Sequence, residues 1–224
     1  MESTQQKGFT LLELMITVVV AAILLAWGVP SFREFQRNSA MTSAANDLIT
    51  GLLAARAEAV KRHVPVTLCA SANPLANVPV CSQNGAGTNG GFVVWVDWDS
   101  AHVDPNKNPF FTASDGNAAV DAAETTVLIR SATPASAAPA GTLNVFGNSG
   151  YVSFAASGFV RNPPGVVPPS ATLVLYCDER GNRPSTAGLS AARVVRIDPT
   201  GRANVQTSTN DVTAAVATIG GACP

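Results

Sequence analysis

Residues 7–20 read KGFTLLELMITVVV, and the fold turns on how this stretch is read. A lysine and a glycine lead into a run, Phe9 to Val29, whose polar side chains are only Thr10, Glu13 and Thr17. As a helix, 21 residues rising 1.5 Å each extend about 30 Å, the hydrocarbon thickness of a bilayer. The many Val and Ile residues do not argue against a helix there, because lipid offers the backbone no partner outside the segment. A secretory signal peptide is the rival reading, with Ala26-Trp27-Gly28 as a weak cleavage site. Two features oppose it. Glu13 interrupts the apolar core, and the helical pattern does not stop at Gly28.

Beyond the apolar run, Met41, Ala45, Leu48, Leu52, Ala55 and Ala59 recur at alternating spacings of four and three, which puts them on one helix face. Arg37, Asp47, Arg56, Glu58 and Lys61 fall elsewhere. Pro30 is expected to kink the helix without ending it, Ser31 to cap a restarted turn, and Pro65 to stop it. The expectation is one long helix with a membrane half, 9–29, and an amphipathic half, 30–64.

After Pro65 the period changes to short β-branched and aromatic runs between Gly, Pro, Ser and Asn spacers. The expected strands are Val66–Cys69, Phe92–Trp98, Thr126–Ser131, Thr142–Phe146, Tyr151–Phe154, Thr172–Cys177, Arg193–Asp198 and Ala203–Thr207. The fold class is therefore α+β: a long kinked N-terminal helix followed by a β-rich globular domain, 65–224, of antiparallel sheets. With a net charge of −1 and 13% charged residues, bulk charge points to no polyanionic partner. Six acids face Lys107 and Arg130 between Val64 and Arg130, and six arginines face four acids between Tyr151 and Pro224. Both imbalances read as solvated surface.

Four cysteines, Cys69, Cys81, Cys177 and Cys223, include no Cys-x-x-Cys pair. An even number in an exported chain favours disulfides. Three pairings are open, of which 69–81 and 177–223 each close a local or C-terminal segment. His63 and His102 lie at no zinc-finger spacing. Gly85-x-Gly87-x-x-Gly90 precedes a strand instead of following one, so it is a loop and not a dinucleotide fingerprint. Asp97, Asp99, Asp104, Asp115, Asn117, Asp121 and Glu124 meet no Ca²⁺-loop spacing and read as a solvated acidic loop. Gly147-Asn148-Ser149-Gly150 is not a nucleophile elbow. Neither an enzyme, a metal site nor a cofactor is expected.

Lys7-Gly8-Phe9-Thr10-Leu11-Leu12-Glu13 resembles the class III signal of type IV pilins and type II secretion pseudopilins. AANDLITGLLAARAEAVKRHVPVTLC (44–69), GGFVVWVDWD (90–99) and VRIDPTGRANV (195–205) resemble the GspH/FimT subgroup of minor pilins and pseudopilins. The resemblance implies a leader, 1–8, cut after Gly8 by a prepilin peptidase that also N-methylates Phe9. It implies a single-pass inner-membrane protein of a bacterium with a periplasmic C-terminal domain of two sheets behind the helix. Its partners would be the membrane and other major and minor pilins or pseudopilins, and its role to join or initiate a type IV pilus or a type II secretion pseudopilus. Pro30 matches the family's helix-kinking proline. Glu13 would face the Phe9 amine of a neighbouring subunit during assembly, which gives an intramembrane acid its partner.

The alternative is DNA binding for uptake in natural transformation. Arg193, Arg196 and Arg202 lie on or beside an expected hairpin turned by Pro199-Thr200-Gly201. Arginines so placed can contact phosphates, with Asn204 and Gln206 assisting. The Gly-Arg-x-Arg motif of some FimT-like members reads Gly201-Arg202-Ala203-Asn204 here, without its second arginine, and Asp198 adds an opposing charge.

Overall fold

The computed structural model describes residues 9–71, 73–76, 79, 91–96, 127–132, 144–147, 151–161, 171–178, 180–184 and 189–220, with backbone alone at 127, 130, 132 and 144–147. The chain divides into two compact units, Met1–Ser39 and Ala40–Pro224.

Helix α1, Leu11–Arg62, runs unbroken past Pro30. Its ring removes one i→i−4 bond, and the helix continues on either side. In the second unit α1 buries Met41, Ala44, Ala45, Leu48, Gly51, Leu52, Ala55 and Ala59. All six periodic positions are thus in the core, joined by Ala44 and Gly51. Full burial of Leu48 or Leu52 stabilises by about 1.5–3 kcal/mol, while the small residues let the sheets come close. Lys61 and Arg62 in the last turn oppose the negative end of the helix dipole. Both reach back to Glu58, whose carboxyl is held below its ordinary range chiefly by the Arg62 hydrogen bond. His63 takes a left-handed conformation, φ 55°, and Pro65 follows, so the helix terminates where the sequence indicates.

The first sheet has strand order β3-β2-β1-β5-β6. Its strands are β1 (Val66–Ala70), β2 (Gly91–Val96), β3 (Val127–Ala132), β5 (Tyr151–Phe154) and β6 (Val160–Arg161). All its pairings are antiparallel. The register aligns Val66 with Val96 and Phe154, and Leu68 with Val94 and Val152. These rows belong to the main core with α1. The intervening rows carry Cys69, Val93, Trp95 and Tyr151 in a second apolar cluster on the opposite face. On that face Thr67 Oγ1 donates to Ser153 Oγ at 2.8 Å, a buried polar pair that is mutually satisfied.

The second sheet has order β4-β7-β8-β9. It is built from β4 (Asn144–Gly147), β7 (Thr172–Cys177), β8 (Leu189–Ile197) and β9 (Ala203–Ser208). Every pairing here is antiparallel too. Consecutive residues of β7 and β8 are buried, so both faces are covered. Helix α2, Thr209–Ile219, packs across β7, β8 and β9 through Val212 and Ala215. Tyr176 is buried near Asp47 of α1, and desolvation first and that charge second push its phenol well above its ordinary value. Val160 N–H donates to the Pro199 carbonyl at 2.9 Å, joining the β5–β6 hairpin to the β8–β9 turn.

The expected strands all appear where residues are described, with three differences. β8 begins at Leu189, not Arg193. Its register with β9 shifts between Leu189 and Val194, and this bulge breaks the alternation that marks a strand. The two-residue β6 is too short to leave a pattern. Helix α2 was not expected: it is set by Ser208 as N-cap, accepting from Asp211 N–H, and by Gly220 as C-cap at φ 69°. Positions 97 and 98 of the expected second strand lie outside the described residues, as do the expected loops at 97–124 and Gly85–Gly90.

Candidate functional site

The first unit presents a helix with its apolar side chains outward. Phe9 is 87% exposed, and every described residue from Phe9 to Gln36 is exposed. Such a surface is unstable in water and belongs in lipid or against other helices. This is one helix long and apolar enough to cross a membrane.

At its start, Thr10 and Glu13 form a reciprocal cap. Thr10 N–H donates to Glu13 Oε2 at 2.9 Å, Thr10 Oγ1 to the same oxygen at 3.0 Å, and Glu13 N–H to Thr10 Oγ1 at 3.2 Å. The Thr-x-x-Glu spacing is a capping box, and it satisfies two of the amide groups a helix start leaves open. The sequence reading gave Glu13 a partner only on a neighbouring subunit and missed Thr10 as its local one, although the Thr-x-x-Glu spacing is legible. Gly8, the expected cleavage residue, lies outside the described residues.

The basic hairpin forms as expected. Asp198 N–H donates to Arg202 O at 2.9 Å, Gly201 N–H to Asp198 O at 2.8 Å, and Gly201 has φ 77°. This is a three-residue loop with glycine in the left-handed position. The three arginines are placed differently from one another. Arg193 Nη1 donates to the carbonyls of Ser190, Ala191 and Ala192 at 2.7, 3.3 and 2.9 Å. It therefore closes its own strand's bulge. Burial, then Arg180, lowers its pKa, with Asp178 opposing. Arg196 Nε pairs with Asp198 Oδ1 at 3.1 Å, both side chains 42% exposed. Arg202 alone of the three is exposed as a whole residue, at the foot of the turn. The hairpin thus gathers no three-arginine surface.

Nearby, a polar network that the sequence did not reveal ties the second sheet to α2. Arg180 forms a two-pronged ion pair with Asp178. Asn182 Nδ2 donates to Thr213 Oγ1 at 2.8 Å, and Ser190 Oγ donates to Asn182 Oδ1 at 2.7 Å. Cys69 and Cys177 are buried and each is disulfide-bonded, and no free thiol occurs among the described residues. Cys81 and Cys223 lie outside those residues. Among the described residues no group of three His, Cys, Asp or Glu side chains is disposed to hold a metal.

Residues 3–29 match the prokaryotic N-terminal methylation motif. Curated relatives include the type IV major alpha-pilin of Moraxella bovis, 32% identical over 35% of this chain and 49% of that protein. Prepilin peptidase-dependent protein D of Escherichia coli is 45% identical over 17% of this chain and 26% of its own length. The chain thus spans about half the length of the first relative and about a quarter of the second. Among solved structures, the type IV minor pilin FimU of Pseudomonas aeruginosa aligns over 78% of this chain and 94% of its own, with 20% identity and a TM-score of 0.44. Pilins are structural subunits and not enzymes. Because residues 44–201, well over half of the chain, match the model for type II transport protein GspH, the chain belongs to the GspH family of pilin-like proteins.

Proposed function

We propose that the protein is a minor filament subunit, cut after Gly8, N-methylated at Phe9, held in the inner membrane by 9–29 and incorporated by its exposed apolar helix. A periplasmic domain then selects neighbouring pilins. The observation that carries this reading is the exposed apolar face of α1 from Phe9 to Phe35, headed by a capped carboxylate. Mass spectrometry of the mature protein from membranes tests it. The expected N-terminus is N-methyl-Phe9 with residues 1–8 gone, and Val29 as first residue would overturn it.

The filament is taken to be a type IV pilus. Deleting the gene is then expected to reduce piliation with protein secretion intact, and the opposite pattern would assign the subunit to a pseudopilus. The bridges are taken as 69–81 and 177–223. Peptide mapping without reductant checks this, and any 69–177 peptide counts against it. The DNA reading is not carried forward, because Arg193 and Arg196 are engaged within the hairpin.

A further inference from the structure

We propose that the free edge of β9 is a docking site for an extended, uncharged segment of a different pilin-family subunit, which adds a fifth strand to the second sheet. The inference rests on the filament-subunit reading above. β9 is the terminal strand of its sheet. The direction of its backbone groups follows from one hydrogen bond. Asp198 N–H donates to Arg202 O, so alternation makes Arg196/Asn204 and Val194/Gln206 the bonded pairs of the ladder. The N–H and C=O groups of Ala203, Val205 and, continuing along the strand, Thr207 then point away from β8. No backbone bond among the described residues takes them up.

Such a row is a template for another strand, and proteins normally guard it with charge, proline or shortness. The edges of the first sheet are guarded, and β4, the other edge of the second sheet, is only four residues long. β6 is two residues long and its Val160 N–H is taken by Pro199, and β3 has Arg130 in its sequence. β9 runs six residues as ANVQTS, with no charge and no proline. α2 does not serve as a guard, because it packs across the three strands and does not pair with β9.

The occupant's chemistry follows from the two faces. Ala203 and Val205 pack against the main core as partly buried residues, whereas Asn204 is exposed and Gln206 half-buried. A strand laid alongside would carry apolar or β-branched residues on the first face and small polar ones on the second. Main-chain bonds supply the affinity of such an addition and alternate side chains the specificity. Self-pairing of two β9 strands would be isologous and close a dimer, while a growing filament needs heterologous contacts. The added strand is therefore not a second β9, and on the filament-subunit reading it comes from a neighbouring subunit of another kind.

The test is residue-resolved hydrogen exchange on the full-length protein in detergent, alone and copurified with pilin-family subunits from its own cells. The Ala203, Val205 and Thr207 amides are expected to exchange at least about tenfold slower in the complex, with Asn204 and Gln206 protected in both states. Unchanged exchange at all three overturns the proposal. Val205→Pro removes an edge N–H without touching the β8–β9 bonds. It is expected to reduce copurification about tenfold with melting little changed. Full copurification by a folded Val205→Pro protein overturns the proposal, as does a β9–β9 homodimer. If the wild type copurifies with no pilin at all, the filament reading falls and this one with it.

Discussion

Gly51 of α1 and Phe92 of β2 meet so closely that a Cβ on the glycine would stand 2.4 Å from Phe92 Cε2 and 3.3 Å from a Leu68 methyl. Phe92 is itself only 7% exposed, so its ring has little room to retreat. The missing side chain is therefore what sets the distance between helix and first sheet.

Replacing it tests that relationship. Gly51→Ala gains about 1 kcal/mol of helix propensity but overpacks a site where such changes cost about 1–3 kcal/mol. We expect net destabilisation of about 1 kcal/mol, read as a lower urea midpoint at unchanged slope. Pairing it with Phe92→Leu should recover part of the loss, since the two residues share one space. A stabilised single mutant would show that the ring moves freely.

The helix face was legible because 3.6-residue periodicity survives in Met41, Ala45, Leu48, Leu52, Ala55 and Ala59. Gly51 was not, because a glycine in sequence reads as a weak point and only the sheet reveals that it is a contact. The strands were legible through β-branched runs, but Leu189–Ala192 was missed since a bulge cancels alternation. For α2 the signals were present in Ser208, Asp211 and Gly220, yet the small, Thr- and Ala-rich interior resembles a tail. At the site, Glu13 was legible as an anomaly, while its bond to Thr10 needed the spacing to be read as a cap. The individual fates of Arg193, Arg196 and Arg202 depend on which carbonyls and carboxylates the fold brings near, which no local pattern encodes.

Arg193 and Arg202 should separate by stability. Arg193→Ala leaves three bulge carbonyls without their donor. For a half-buried charged donor we expect a loss of about 1–2 kcal/mol. Arg202→Ala, on an exposed turn, should stay within about 0.5 kcal/mol. Equal losses by chemical unfolding would contradict the structural role given to Arg193.

Glu13 has a local role and a proposed intersubunit role, and two substitutions distinguish them. Glutamine still completes a capping box but carries no charge, whereas alanine does neither. Both variants should be cleaved normally after Gly8. If pairing with a neighbouring amine drives incorporation, both should reduce filament content by about tenfold or more, as expected for an intramembrane charge losing its partner. Normal incorporation of Glu13→Gln would leave the cap as the residue's whole contribution.

Tyr176 should give the protein an alkaline limb. Its buried phenol, close to Asp47, has its pKa raised, while an unfolded tyrosine titrates near about 10. A raised folded value means the neutral form is favoured in the native state. The stabilisation is complete below about pH 10 and is lost as pH rises above it, by roughly 1 kcal/mol per pH unit. Tyr176→Phe removes the titrating hydroxyl and should keep its urea midpoint nearly level between about pH 9.5 and 11.5, where the wild type declines. Tyr151 is the chain's other tyrosine, and burial raises its pKa as well. Tyr151→Phe is the control, expected to retain most of the decline because that phenol is only partly buried. If Tyr176→Phe declined in parallel with the wild type, the alkaline limb would have to arise elsewhere in the chain.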